Sequence, residues 1–106
     1  MDDPHPMKVE SIGKTLLISG IPELNAANAG QFRDQARAAI LPEHSRVDLD
    51  LSITRFVDSS GLGALIALNK LMNTRQGHVR ILNPMPAVQQ ILELTRMHRV
   101  FEIAKN

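Results

Sequence analysis

Phe56-Val57-Asp58-Ser59-Ser60-Gly61-Leu62-Gly63-Ala64-Leu65 joins two different hydrophobic periods. Upstream, Val47-Asp48-Leu49-Asp50-Leu51 alternates apolar and acidic residues, the period of a strand. Downstream, Leu62, Leu65, Leu68 and Met72 recur at helical spacing, with Asn69, Lys70, Asn73 and Thr74 on the wet side. Two serines and two glycines therefore fall on a strand-to-helix turn. Backbone N–H groups are unpaired there, and the helix dipole favours negative charge. A hydroxyl at such a turn is placed to carry a phosphate.

Working outward, residues 7–11 and Thr15–Ser19 read as strands joined by a Gly13-Lys14 hairpin turn. Gly20-Ile21-Pro22-Glu23 breaks the second strand. A helix begins near Asn25 to Asn28, carries Phe32, Ala36, Ala39 and Ile40 on one face, and ends at Pro42. Residues 46–52 form a third strand. The helix over 62–72 ends with Gly77 as its C-terminal cap, and His78–Leu82 is a fourth strand. Asn83-Pro84-Met85-Pro86 opens a third helix bearing Val88, Ile91, Leu92 and Thr95, and residues 100–103 make a last edge strand. A sheet covered on both faces would show continuous apolar strands. The alternation here predicts an α/β domain with a mixed four- to five-stranded sheet, helices mainly on one face and the other face largely open. Residues 1–6 read as a flexible tail and 7–106 as the domain.

The chain has 106 residues, 43% of them hydrophobic, enough for one aliphatic core, since aromatics are only 3%. The net charge of +1 and the scattered basic residues predict no nucleic-acid partner. No cysteine is present, which removes disulfides, thiolate nucleophiles and cysteine-ligated metals. No stretch is long enough to insert in a membrane. Met-Asp-Asp-Pro-His-Pro lacks the basic and apolar regions of a signal peptide, so a cytoplasmic location is expected.

The segment Asp50-Leu51-Ser52 followed by Phe56-Val57-Asp58-Ser59-Ser60-Gly61-Leu62-Gly63 resembles the signature of the STAS domain, in particular of bacterial anti-sigma-factor antagonists. The resemblance covers 7–103 and implies a single STAS-like domain. It implies a non-enzymatic switch without cofactors. An anti-sigma factor with serine kinase activity phosphorylates the first serine after the aspartate, here Ser59. The unphosphorylated antagonist binds that factor and frees a sigma factor, and a serine phosphatase resets the cycle. It also implies a monomer or weak dimer. In one place the chain departs from the family: a Gly-Glu-Leu-Asp or Gly-Glu-Ile-Asp turn is replaced by Gly20-Ile21-Pro22-Glu23-Leu24-Asn25, with Asn25 in place of the aspartate. STAS domains also serve as structural or accessory subunits of signalling scaffolds and lipid-transport complexes, and the altered turn keeps that alternative open.

Each singled-out residue has a plainer reading. A serine or aspartate before a helix is an ordinary N-cap. The expectation is that Asp58 or Ser60 caps while Ser59 stays free, with Asp58, Ser60 and Gly61 supporting the turn. Gly61 and Gly63 match neither a dinucleotide fingerprint nor a P-loop, and read as small residues permitting close packing. Asp48 and Asp50 share a strand face without a third ligand and read as solvated surface. His5, His44, His78 and His98 lack metal-site spacing, and no catalytic triad is readable. Glu23 and Arg55 are the charged candidates for contacting a partner.

Overall fold

The computed structural model describes residues 7–105, so the tail expected over residues 1–6 lies outside it. β1 (Lys8–Ile12) and β2 (Thr15–Ser19) form the predicted antiparallel hairpin. β3 (Glu23–Leu24) precedes α1 (Ala29–Ala39), β4 (Arg46–Asp50) and β5 (Phe56–Val57) precede α2 (Ser59–Asn73), and β6 (His78–Leu82) precedes α3 (Pro86–Leu94). A 3₁₀ turn over Met97–Arg99 leads into β7 (Glu102–Ala104), the last edge strand. The main sheet runs β1-β2-β4-β6-β7, with β2, β4, β6 and β7 parallel. From β2 onward every crossover steps in the same direction across the sheet. Right-handed connections then place α1, α2 and α3 on one face, as the alternation predicts.

That face is the core. Leu16, Ile18, Val47, Leu49, Val79 and Ile81 project from the strands and meet Phe32, Ala36, Leu65, Leu68, Met72, Val88 and Leu92 from the helices. Asn69 does not belong to the wet side assigned to it, because it is only 8% exposed. Gly77 is not the left-handed residue that ends α2. Gln76 takes that conformation with φ 61°, while a Cβ at Gly77 would collide with the Ser45 carbonyl. Glycine is needed there for the approach of two backbones.

The opposite face is polar, but it is not the solvated surface expected. Asp48 is only 5% exposed. It lies directly across from Arg80, which donates to it from Nε at 3.2 Å and from a terminal nitrogen at 2.9 Å. Arg46, two residues back on the same strand face, brings its Nε to 3.1 Å as an ion-pair contact without hydrogen-bond alignment. Two guanidinium groups fold over the carboxylate and shield it. The hydrogen bond to Asp48 holds Arg80 above its ordinary pKa. Asp50 keeps the surface role and accepts from the Ser52 N–H at 2.9 Å.

His44 is 2% exposed and structural. The Leu41 N–H donates to its Nδ1 at 2.9 Å, so Nε2 carries the proton and donates to Ser11 Oγ at 2.7 Å. Among the described residues no group of three or more His, Cys, Asp or Glu is placed to hold a metal ion. No described helix is long and apolar enough to cross a membrane.

Candidate functional site

The strand-to-helix turn is shorter than the hydrophobic stripe suggests. α2 begins at Ser59, ahead of the expected start at Leu62, so Ser59 and Ser60 are its first two helical residues. Asp58 has extended backbone geometry and is the N-cap. Its Oδ1 accepts from the Gly61 N–H at 2.9 Å, and its Oδ2 accepts from the Ala26 N–H at 3.1 Å. Of the two residues expected to cap, Asp58 does so. Ser60 does not: it is exposed, and its hydroxyl bonds no other described residue. Ser59 is likewise exposed, and its hydroxyl bonds no other described residue.

Gly61 sits where α2 crosses the β3 backbone, and a Cβ there would strike the Leu24 carbonyl oxygen. The small-residue reading therefore holds for Gly61. It fails for Gly63, which is exposed with nothing within 4 Å of a built Cβ. Gly63 lies one turn beyond Ser59, on the same side of the helix.

Two loops are laced together beneath these serines. β3 and β5 form a separate parallel pair, Glu23 opposite Phe56 and Leu24 opposite Val57. Thr54, fully buried, donates its hydroxyl to the Ile21 carbonyl at 2.5 Å. The Arg55 N–H donates to Pro22 O at 2.8 Å, and the Asp58 N–H to Leu24 O at 3.1 Å. Arg55 and Glu23, both exposed, reach each other at 3.4 Å. The altered turn is itself braced. Asn28 accepts from the Asn25 N–H at 2.8 Å and donates to Glu23 O at 2.7 Å, while Asn25 accepts from the Ala27 N–H at 2.9 Å.

Sequence reasoning allowed Met85 a place in a partner surface but singled out neither Ile53 nor Phe56, the other two exposed apolar residues on this end of the molecule. Ile53, Phe56 and Met85 are 51%, 48% and 36% exposed. They stand in the β4–β5 loop, on β5, and before α3, all at the carboxyl ends of the parallel strands. The signal was available for Phe56: Val57 is buried, and strand neighbours point to opposite faces. Ser59, Ser60 and Gly63 are also exposed, as is the Glu23–Arg55 pair. No base is hydrogen-bonded to Ser59 Oγ among the described residues, so nothing there activates it as a nucleophile. Its surroundings suit a hydroxyl modified from outside: exposed, at the positive end of a 15-residue helix with no acidic residue in its first turn.

The site and fold define a single α/β domain with three helices on one face of a five-stranded mixed sheet. The STAS domain family model matches residues 6–106, and the chain belongs to that family. The anti-sigma F factor antagonist of Paenibacillus polymyxa is 31% identical over 85 residues, which cover 79% of this chain and 73% of that protein. Among solved structures, the tm1081 protein of Thermotoga maritima superimposes with a TM-score of 0.88 at 23% identity, covering 94% of this chain and 86% of that one. Unphosphorylated SpoIIAA, an anti-sigma factor antagonist, gives 0.79 at 19% identity, covering 95% and 88%. SpoIIAA, a Bacillus cell fate determinant, is also solved in its phosphorylated form. These relatives are regulatory binding proteins rather than enzymes.

Proposed function

We propose that this protein is an anti-sigma-factor antagonist switched by phosphorylation of Ser59. The observation that carries the reading is the division of labour at the turn: Asp58 alone caps α2, leaving the Ser59 hydroxyl exposed and bonded to no other described residue. In this reading the partner is an anti-sigma factor with serine kinase activity and the location is the cytoplasm, and the likeness to the anti-sigma F factor antagonist of Paenibacillus polymyxa supports it. The kinase transfers the γ-phosphoryl of ATP to Ser59 Oγ. The bond to the bridging oxygen breaks, the Oγ–P bond forms, the hydroxyl proton leaves and ADP departs. A serine phosphatase returns the hydroxyl by hydrolysis, with water as co-substrate and inorganic phosphate as product.

The modification adds about −1.5 to −2 charges. At a helix N-terminus the domain tolerates that charge, so the fold persists and the surface changes. A partner seated on Ile53, Phe56 and the first turn of α2, with Glu23 and Arg55 at its edge, meets a bulky dianion in place of a small hydroxyl. Intact mass after incubation with a cognate serine kinase and ATP tests the assignment. The wild type gains the mass of one phosphoryl group and Ser59→Ala gains none. Absence of the gain in the wild type, or its survival in Ser59→Ala, overturns it.

A further inference from the structure

Among the described residues, β1 is the outermost strand of the main sheet and bonds to β2 on one side only. All five of its residues are exposed, among them Val9 at 46% and Ile12 at 54%. An edge of this kind, with apolar side chains and an unpaired row of backbone groups, is a template for another strand. Its charge pattern says which strand. In Lys8-Val9-Glu10 a positive and a negative residue flank a valine symmetrically. Set antiparallel to itself about a two-fold axis at Val9, the strand places Lys8 opposite Glu10 of the second copy, and Glu10 opposite Lys8. Val9 then meets Val9, and Met7 meets Ser11. Centring one residue later sets Glu10 against Glu10, and one earlier sets Lys8 against Lys8, both destabilising. The other edge, β7, reads Glu102-Ile103-Ala104 and has no such complement.

We infer that a second copy of this chain pairs with β1 in that register, through an isologous two-fold contact that joins two five-stranded sheets. The contact uses no residue of the Ser59 surface, so it stands or falls independently of the phosphorylation reading. One short strand pair is marginal alone, which makes the dimer weak and concentration-dependent.

Sedimentation equilibrium over a dilution series, with charge-swapped variants, tests it. The wild type forms a reversible dimer. Lys8→Glu and Glu10→Lys each weaken it at least tenfold, because each puts like charges opposite. The double swap, Lys8→Glu with Glu10→Lys, restores it. A cysteine-free chain permits a second readout. Opposed antiparallel residues have Cα atoms about 4.5–5.5 Å apart, within the roughly 4.4–6.8 Å of a disulfide. Val9→Cys therefore oxidises to a covalent dimer. Ile12→Cys, as exposed but about 20 Å from its mate at roughly 3.4 Å per residue, does not. A wild type monomeric at every concentration overturns the inference. So does a double swap as weak as the singles, or equal cross-linking of the two cysteine variants.

Discussion

The Asp58 carboxylate satisfies the Gly61 N–H with one oxygen and the Ala26 N–H with the other. Asp58→Ala strands two donors at once, one of them the tie between α2 and the loop before α1. Loss of an N-cap costs about 1–2 kcal/mol, and in a domain of this size each kcal/mol is roughly 4–8 °C in Tm. Ser59→Ala and Ser60→Ala remove exposed hydroxyls that bond no other described residue and stay within about 0.5 kcal/mol of wild type. Thermal melts of the three variants check the ranking. The two glycines give a second contrast. Gly61→Ala drives a methyl into the Leu24 carbonyl and destabilises by about 1–3 kcal/mol. Gly63→Ala enters open space in a helix interior and stabilises by about 0.5–1 kcal/mol. Denaturant midpoints of the pair separate the two. The helix start was legible in Asp-Ser-Ser, because short acceptors before an apolar stripe announce one, and Ser59 was expected to stay free; the choice of Asp58 over Ser60 as the cap was left open. The difference between Gly61 and Gly63 was not, because it depends on where Leu24, distant in sequence, crosses the helix.

β4 carries two aspartates that look alike in the chain and differ in the sheet. Asp50 ends its strand and holds one backbone N–H. Asp48 faces Arg80 across the ladder and Arg46 along its own strand, and these side chains cover it. Alternation identified the face correctly but not its burial, because register decides which long side chains close over which carboxylate. Asp48→Ala strips charge-assisted hydrogen bonds from Arg80 and leaves two guanidinium groups adjacent. It costs about 1.5–3 kcal/mol, on the scale of hydrogen bonds to charged groups, whereas Asp50→Ala costs less than about 1 kcal/mol. Urea midpoints distinguish these. Arg80, raised above an already high pKa, gives its contribution at every pH below its ordinary value and loses it only as pH climbs through the raised one. Across pH 5–9 this ion pair's arginine adds no slope to stability. β3 and β5 were illegible as strands: two residues each leave no period to read. They form because Thr54, Arg55 and Asp58 bond the backbone of residues 21–24.

At the scale of the whole molecule, the order of elements was readable because each crossover joins a strand-period segment to a helix-period one. The one-sided layering followed from polar alternation. What the sequence could not show is how three loops converge at one end of the sheet, since that follows from parallel pairing. The convergence bears on the proposed switch: the exposed Ser59 hydroxyl opens α2 directly after β5, whose loop is braced by Thr54 and carries exposed Ile53 and Phe56. A switch at Ser59, as proposed, alters recognition without unfolding. Ser59→Asp therefore melts no lower than wild type, because a carboxylate at a helix N-terminus is favourable. Glu23 and Arg55 form an exposed pair worth less than about 1 kcal/mol to the fold, so Arg55→Ala leaves Tm within a few degrees of wild type while reducing partner affinity. The most direct test of the central claim is calorimetric titration of the anti-sigma factor with unphosphorylated and Ser59-phosphorylated protein, each shown folded by its melt. Phosphorylation is predicted to weaken binding by at least tenfold, about 1.4 kcal/mol. Equal affinity of the two folded forms would contradict it.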